Sequence, residues 1–145
     1  DAFKDQYPSK HRSVYLMTQR LIRNPFLATF DGPDTNISTE SRSRSTVPLQ
    51  ALYLLNNPFV AEMAKSYADH LLKTVDEPDR RIVIAQETAW GRPPNSNEME
   101  RSRQFLKAYE AELTQSGVPT DQVRSRAWGG FAKILLISNE FLYID

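Results

Sequence analysis

Five polar residues close together in the chain, Asp31, Asp34, Asn36, Arg42 and Arg44, have the types and spacing that could do chemistry. Asp31, Asp34 and Asn36 put three oxygen side chains within six residues. Hard cations take such ligands, but the spacing is not that of the twelve-residue calcium loop and its closing Glu is missing. No metal is expected here. Asp31 and Asp34 could also be the acid and base of a hydrolysis that uses two carboxylates, yet two acids in one proline-containing turn have no evident way to straddle a bond. The favoured reading is that the carboxylates cap turns and pair with the planar donors of Arg42 and Arg44, ordering a loop. Ligand binding or catalysis by this loop stays open as the alternative.

Other chemical groups are sparse. Ser38, Ser41, Ser43, Ser45 and Thr46 carry hydroxyls, but a nucleophile needs a positioned base, and the two histidines, His11 and His70, sit in no recognisable motif. His11 lies in a tail-like stretch and His70 on the polar side of an amphipathic helix. The absence of cysteine excludes disulfides, thiolate metal sites and thiol nucleophiles, and with them a covalently attached c-type haem. No cofactor is expected within these residues. Arg12, Arg20, Arg23, Arg42 and Arg44 could gather near Tyr15 and Phe26 as a basic face. Eighteen basic residues balance eighteen acidic ones, so no overall field favours nucleic acid, and no nucleic-acid partner is expected.

The elements that must position these groups are helical. Thr46 is a candidate N-cap ahead of Pro48 and LQALYLLN, and Asn56-Asn57-Pro58 interrupts that helix. From Pro58 to Leu72, Phe59, Met63, Tyr67 and Leu71 recur every fourth residue beside Val60, Ala64, Ala68 and Leu72, predicting one wide apolar stripe. A further helix over 80–90 turns Ile82, Ala85 and Ala89 inward and stops at Gly91-Arg92-Pro93-Pro94. Asn95 with Glu98 reads as a capping box opening a helix with Met99, Phe105, Leu106, Tyr109 and Leu113 inward, ending near Gly117. Pro119-Thr120 leads into a last helix with Val123, Ala127, Phe131, Ile134, Leu135 and Ser138 on its apolar side. Gly129-Gly130 inside it implies close packing or a kink. Trp90 and Trp128 share faces with apolar residues and read as core.

Upstream, residues 1–10 read as a tail or linker and 11–145 as a single helical domain. Residues 12–22 fit either a short strand around Val14 or a helix, PFLATF gives at most one helical turn, and 31–46 should be an ordered loop. The expected fold class is all-α: an irregular bundle of about five helices with a long ordered N-terminal loop and at most one short strand. No apolar run approaches the length of a spanning helix, so no membrane insertion is expected. The chain begins at Asp1 without a signal-like stretch, which suggests a processed protein or an excised domain, with any targeting signal upstream.

RSVYL at 12–16, FDGPD at 30–34, Arg42, Arg44-Ser-Thr, PLQALYLLNNPFV at 48–60, GRPP at 91–94 with Glu98 following, and SNEFLYID at 138–145 occur together in this order. In this the chain resembles the planctomycete-specific C-terminal PSD domain, the domain of unknown function 1553. The resemblance implies the C-terminal part of a large exported bacterial protein that also carries a cytochrome-c-like module and another helical domain. It thus implies an extracytoplasmic location, upstream domains of the same polypeptide as partners, and any haem in a module outside this segment. Many relatives have a cysteine a few residues before the paired arginines, where this chain has Ser38. The expectation is a non-catalytic structural or interaction domain. The alternative is a polar Asp/Arg loop contributing to a hydrolytic or redox-linked site completed by upstream domains.

Overall fold

Proline and asparagine punctuate the helices in a computed structural model that describes residues 12–15, 24–32, 36 and 48–143. Two compact units are present, 1–52 and 53–145. In the first, Ser13–Tyr15 form a 3₁₀ turn, and α1 spans Pro25–Thr29. Asn24 caps α1 by accepting from the amides of Phe26 and Leu27, and Pro25 takes the first helical position, where its missing N–H costs nothing. Gln50, 5 % exposed, donates from Nε2 to the Thr29 carbonyl at 3.0 Å. The helix α2 runs Pro48–Asn56. Its expected cap, Thr46, and the tail at 1–10 lie outside the described residues.

The second unit holds the core. The helix α3, Pro58–Thr74, starts at Pro58 because the Asn57 side chain accepts from the Phe59 amide at 2.8 Å. Glu77 caps α4, Pro78–Trp90, which ends at Gly91 in the left-handed region with φ 72°. The anticipated capping box is present at the start of α5, Ser96–Gln115: Asn95 accepts from the Glu98 amide and Glu98 accepts from the Asn95 amide. Gly117, at φ 78°, turns the chain towards α6, Thr120–Ile137. Ser138 then ends α6 and caps α7, Asn139–Leu142. The described residues thus contain seven helices, five of them nine residues or longer, and no strand.

The helix α6 is the hub. Val123, Ala127, Phe131 and Leu135 repeat every fourth residue beside Trp128 and Ala132, and all six are buried. The chief partner of α6 is α3, where Ala64, Ala68 and Leu71 are at most 2 % exposed. Small side chains on both helices allow close approach, and each fully buried Leu, Ile or Phe contributes about 1.5–3 kcal/mol. The helices α5 and α4 complete the packing with Leu106, Ile82 and Ala85. Phe131 meets Trp128 edge-on at 5.6 Å between ring centroids.

Two expectations of the apolar pattern need correction. The α3 stripe is buried only in its C-terminal part: Phe59 is 52 % and Met63 42 % exposed. Ile134 on α6 is 45 % exposed, because the buried stripe follows four-residue steps through Phe131 and Leu135 and rotates Ile134 off it. The glycine pair divides its roles. A Cβ on Gly130 would stand 2.6 Å from Cε1 of Tyr109, so that glycine admits the ring, whereas a Cβ on Gly129 would meet nothing within 4 Å.

Candidate functional site

Of the five polar residues of the predicted loop, the structure describes Asp31 and Asn36, while Asp34, Arg42 and Arg44 lie outside the described residues. Asp31 directly follows the last turn of α1 with φ 53°, the left-handed conformation that usually favours glycine and that a short polar side chain also tolerates. The next amide, Gly32, donates to the Leu27 carbonyl at 2.6 Å, the six-to-one bond of a Schellman cap. A Cβ on Gly32 would lie 2.7 Å from that same carbonyl oxygen, so glycine is required for this turn. FDG thus closes a helix. Asn36 is exposed.

The structure draws together a different polar cluster, at the meeting of the α4 C-terminus, the α5 N-terminus and α7. Arg92 donates from Nη1 and Nη2 to both oxygens of Glu98, at 2.9 and 2.8 Å. From Nε and Nη2 it also donates to both oxygens of Glu140, at 2.6 and 2.9 Å. The guanidinium is therefore gripped on two edges by carboxylates, the bidentate geometry for which arginine is suited. Both acids hold its proton more tightly than usual, Glu98 foremost. In return Arg92, and next the Asn95 amide, hold the Glu98 carboxyl down at about 2.

Trp90 forms the apolar side of this cluster, with its ring centroid 5.4 Å from the Arg92 guanidinium carbon. Its indole N–H donates to Ser138 Oγ at 2.8 Å. That hydroxyl donates to the Leu135 carbonyl at 2.7 Å and accepts from the Phe141 amide at 3.3 Å. A relay of hydrogen bonds thus runs from α4 through the joint between α6 and α7. With its donors occupied, Arg92 acts as a cross-link between distant segments. The GRPP, Glu98 and SNEFL stretches, separate in the chain, form one site.

Arg81 is a second feature, and it is 1 % exposed. Its Nε donates to the carbonyls of Leu71 at 3.3 Å and Val75 at 2.8 Å, and its Nη2 to those of Val75 and Asp76. These are carbonyls around the end of α3; that of Leu71 also accepts from the Val75 amide, and those of Val75 and Asp76 lie beyond the helix's own ladder. The guanidinium carbon lies 5.0 Å from the Trp128 ring centroid. Burial, and then the charge of Arg124, lower the pKa of Arg81 from its usual value.

The remaining polar groups also link helices. Gln86 donates to Ser102 Oγ at 2.9 Å between α4 and α5, while its buried Oε1 has no partner among the described residues. Arg103 grips Asp79 at 2.8 Å through two donors, and Tyr67 donates to the Ala85 carbonyl at 2.8 Å. Arg103 in turn lowers the pKa of Asp79. Among the described residues no three His, Asp or Glu side chains are grouped to hold a metal. Sequence reasoning did not single out Arg81, Arg92 or Glu140. The available signals were an arginine in helical register with buried Ala85, and an arginine six residues from a capping-box glutamate.

Comparisons with curated proteins and with solved structures find no match. A family model does match: PSD1, described as a protein of unknown function (DUF1553), aligns with residues 2–106. That stretch contains Arg92 and Glu98, and stops short of Glu140. Covering well over half of the chain, the match establishes that this protein belongs to the DUF1553 family.

Proposed function

We propose that this chain is a non-catalytic interaction domain of a larger exported bacterial polypeptide, which docks on a neighbouring domain through the uncovered part of the α3 stripe. The observation that carries this reading is the exposure of Phe59 and Met63 on α3, at 52 and 42 %, with Leu55 of α2 beside them in the chain at 45 %. Phe59 and Met63 continue the apolar register of α3, whose C-terminal half is core, and Leu55 precedes them near the end of α2. A large apolar surface left open beside a finished core is the usual mark of a binding face. The clamp around Arg92 supports the same reading, since its charges are consumed in holding helices together. The reading assigns no cofactor to this segment.

The test is amide hydrogen exchange across residues 55–63, measured in the 145-residue chain and in a longer polypeptide that carries it. Exchange should slow by about tenfold or more in the longer polypeptide, and Phe59→Asp with Met63→Asp should abolish the slowing. Equal exchange rates in the two forms would overturn the reading. Thermal melting of the double variant separates loss of docking from loss of folding.

A further inference from the structure

A groove of about 470 Å³ runs between α4, α5 and α6. This is the size of a small-molecule site. Its inner wall is apolar: Ile82, Leu106, Val123 and Trp128 line it, and each is at most 9 % exposed. Four cationic side chains, Arg81, Arg103, Lys107 and Arg124, also line it, against the two acids Asp79 and Glu110. Arg103 and Asp79 neutralise each other at 2.8 Å. What remains is Arg81, Lys107 and Arg124 facing Glu110 alone.

Arg81 gives this excess its meaning. A buried charge is ordinarily paired directly with an opposite charge, whereas the hydrogen-bond partners of Arg81 are neutral carbonyls, and Asp76 and Glu77 attract it without an ion-pair contact. Its Nε and Nη2 are used on α3, and among the described residues its Nη1 has no hydrogen-bond acceptor. Neither Lys107 nor Arg124 has a carboxylate within ion-pair distance among the described residues. The first turn of α6 reaches the groove at Thr120, and its cap position is Pro119, whose carbonyl accepts from the Gln122 and Val123 amides and which offers no side-chain acceptor to those before them. A guanidinium with one nitrogen left open and two further cations without an ion-pair partner among the described residues thus border an apolar slot lined by an indole.

We infer that this groove binds a small organic anion, a carboxylate or phosphate head on a flat apolar body, with Arg81, Lys107 and Arg124 receiving the head and Trp128 and Leu106 receiving the body. The charge of the ligand would complete the ion pairing that the protein leaves open at Arg81. The site lies apart from the α3 face assigned to docking, so each stands or falls by its own test.

The experiment titrates the 145-residue chain with benzoate, phenyl phosphate and neutral benzyl alcohol, following the indole resonance of Trp128 and the amides of the first α6 turn by nuclear magnetic resonance. Saturable shifts with at least one of the two anions are expected, and the tighter of them identifies the head group. Benzyl alcohol should bind at least about tenfold more weakly. Lys107→Ala with Arg124→Ala, both on exposed positions, should weaken anion binding by about tenfold or more while leaving the melting temperature near that of the parent. Absence of saturable shifts with both anions, equal binding of benzyl alcohol, or undiminished binding by the folded double variant would each overturn the inference.

Discussion

Arg92 and Glu140 stand 48 positions apart in the chain, and Nε of the one lies 2.6 Å from Oε1 of the other. The same guanidinium holds Glu98, so a single side chain ties the start of α5 to α7. Two separate sequence blocks, GRPP and SNEFL, thereby meet at one contact. The pair is partly solvated, with about two-fifths of each side chain exposed, so its worth comes from the network and not from the isolated ion pair.

Acid should loosen this network. The folded-state pKa of Glu98 is about 2, below its reference value of 4.5, so its contribution is fully present above 4.5 and is lost as the pH falls through that range towards 2. Asp69 and Asp79 are shifted in the same direction, by Lys65 and Arg103 foremost. Melting temperatures measured from pH 6 down to pH 2.5 should fall, and Glu98→Gln should flatten the fall while lowering the plateau. An identical acid limb in that variant would refute the assignment.

Arg81→Met should cost about 2–4 kcal/mol, because it removes the buried donor of the Val75 and Asp76 carbonyls and one of the two donors of the Leu71 carbonyl. Arg81→Lys should recover only part of this, since one ammonium cannot reproduce the guanidinium fork that reaches all three. Urea denaturation of the two variants provides the measurement, with equal stability of Arg81→Met and the parent as the refuting result.

The adjacent glycines of α6 should respond in opposite directions. Gly129→Ala meets open space and should stabilise by about 0.5–1 kcal/mol through helix propensity. Gly130→Ala must displace the Tyr109 ring and should destabilise by about 1–2 kcal/mol. Tyr109→Ala combined with Gly130→Ala should lose less than the sum of the single effects. Additive losses in that cycle would remove the steric explanation.

Local signals made much of the fold legible. Pro48, Pro58 and Pro78 each stand at a first helical position, Gly91 and Gly117 adopt left-handed conformations at helix ends, and Asn95 with Glu98 forms the expected box. These outcomes depend on interactions within a few residues, which is the range over which sequence spacing is informative. The C-terminal half of the α3 stripe was legible for the same reason. Its N-terminal half was not, because periodicity shows which side of a helix is apolar and is silent on how far a partner helix covers it.

The polar sites divide along the same line. Asp31 stood out by composition, and its observed place is a helix cap formed with Gly32 and Leu27, a local event. The clamp of Arg92 with Glu98 and Glu140, the burial of Arg81 beneath Trp128, and the bond from Trp90 to Ser138 join residues that no short-range pattern relates. The sequence by itself determined the five longer helices, most of their ends and the family, since propensity, capping and motif order are properties of neighbouring residues, while the short α7 after Ser138 was not foreseen. Only the tertiary structure decided which charges meet, because a charge finds its partner across space, and the helix packing that sets those distances is a property of the whole core.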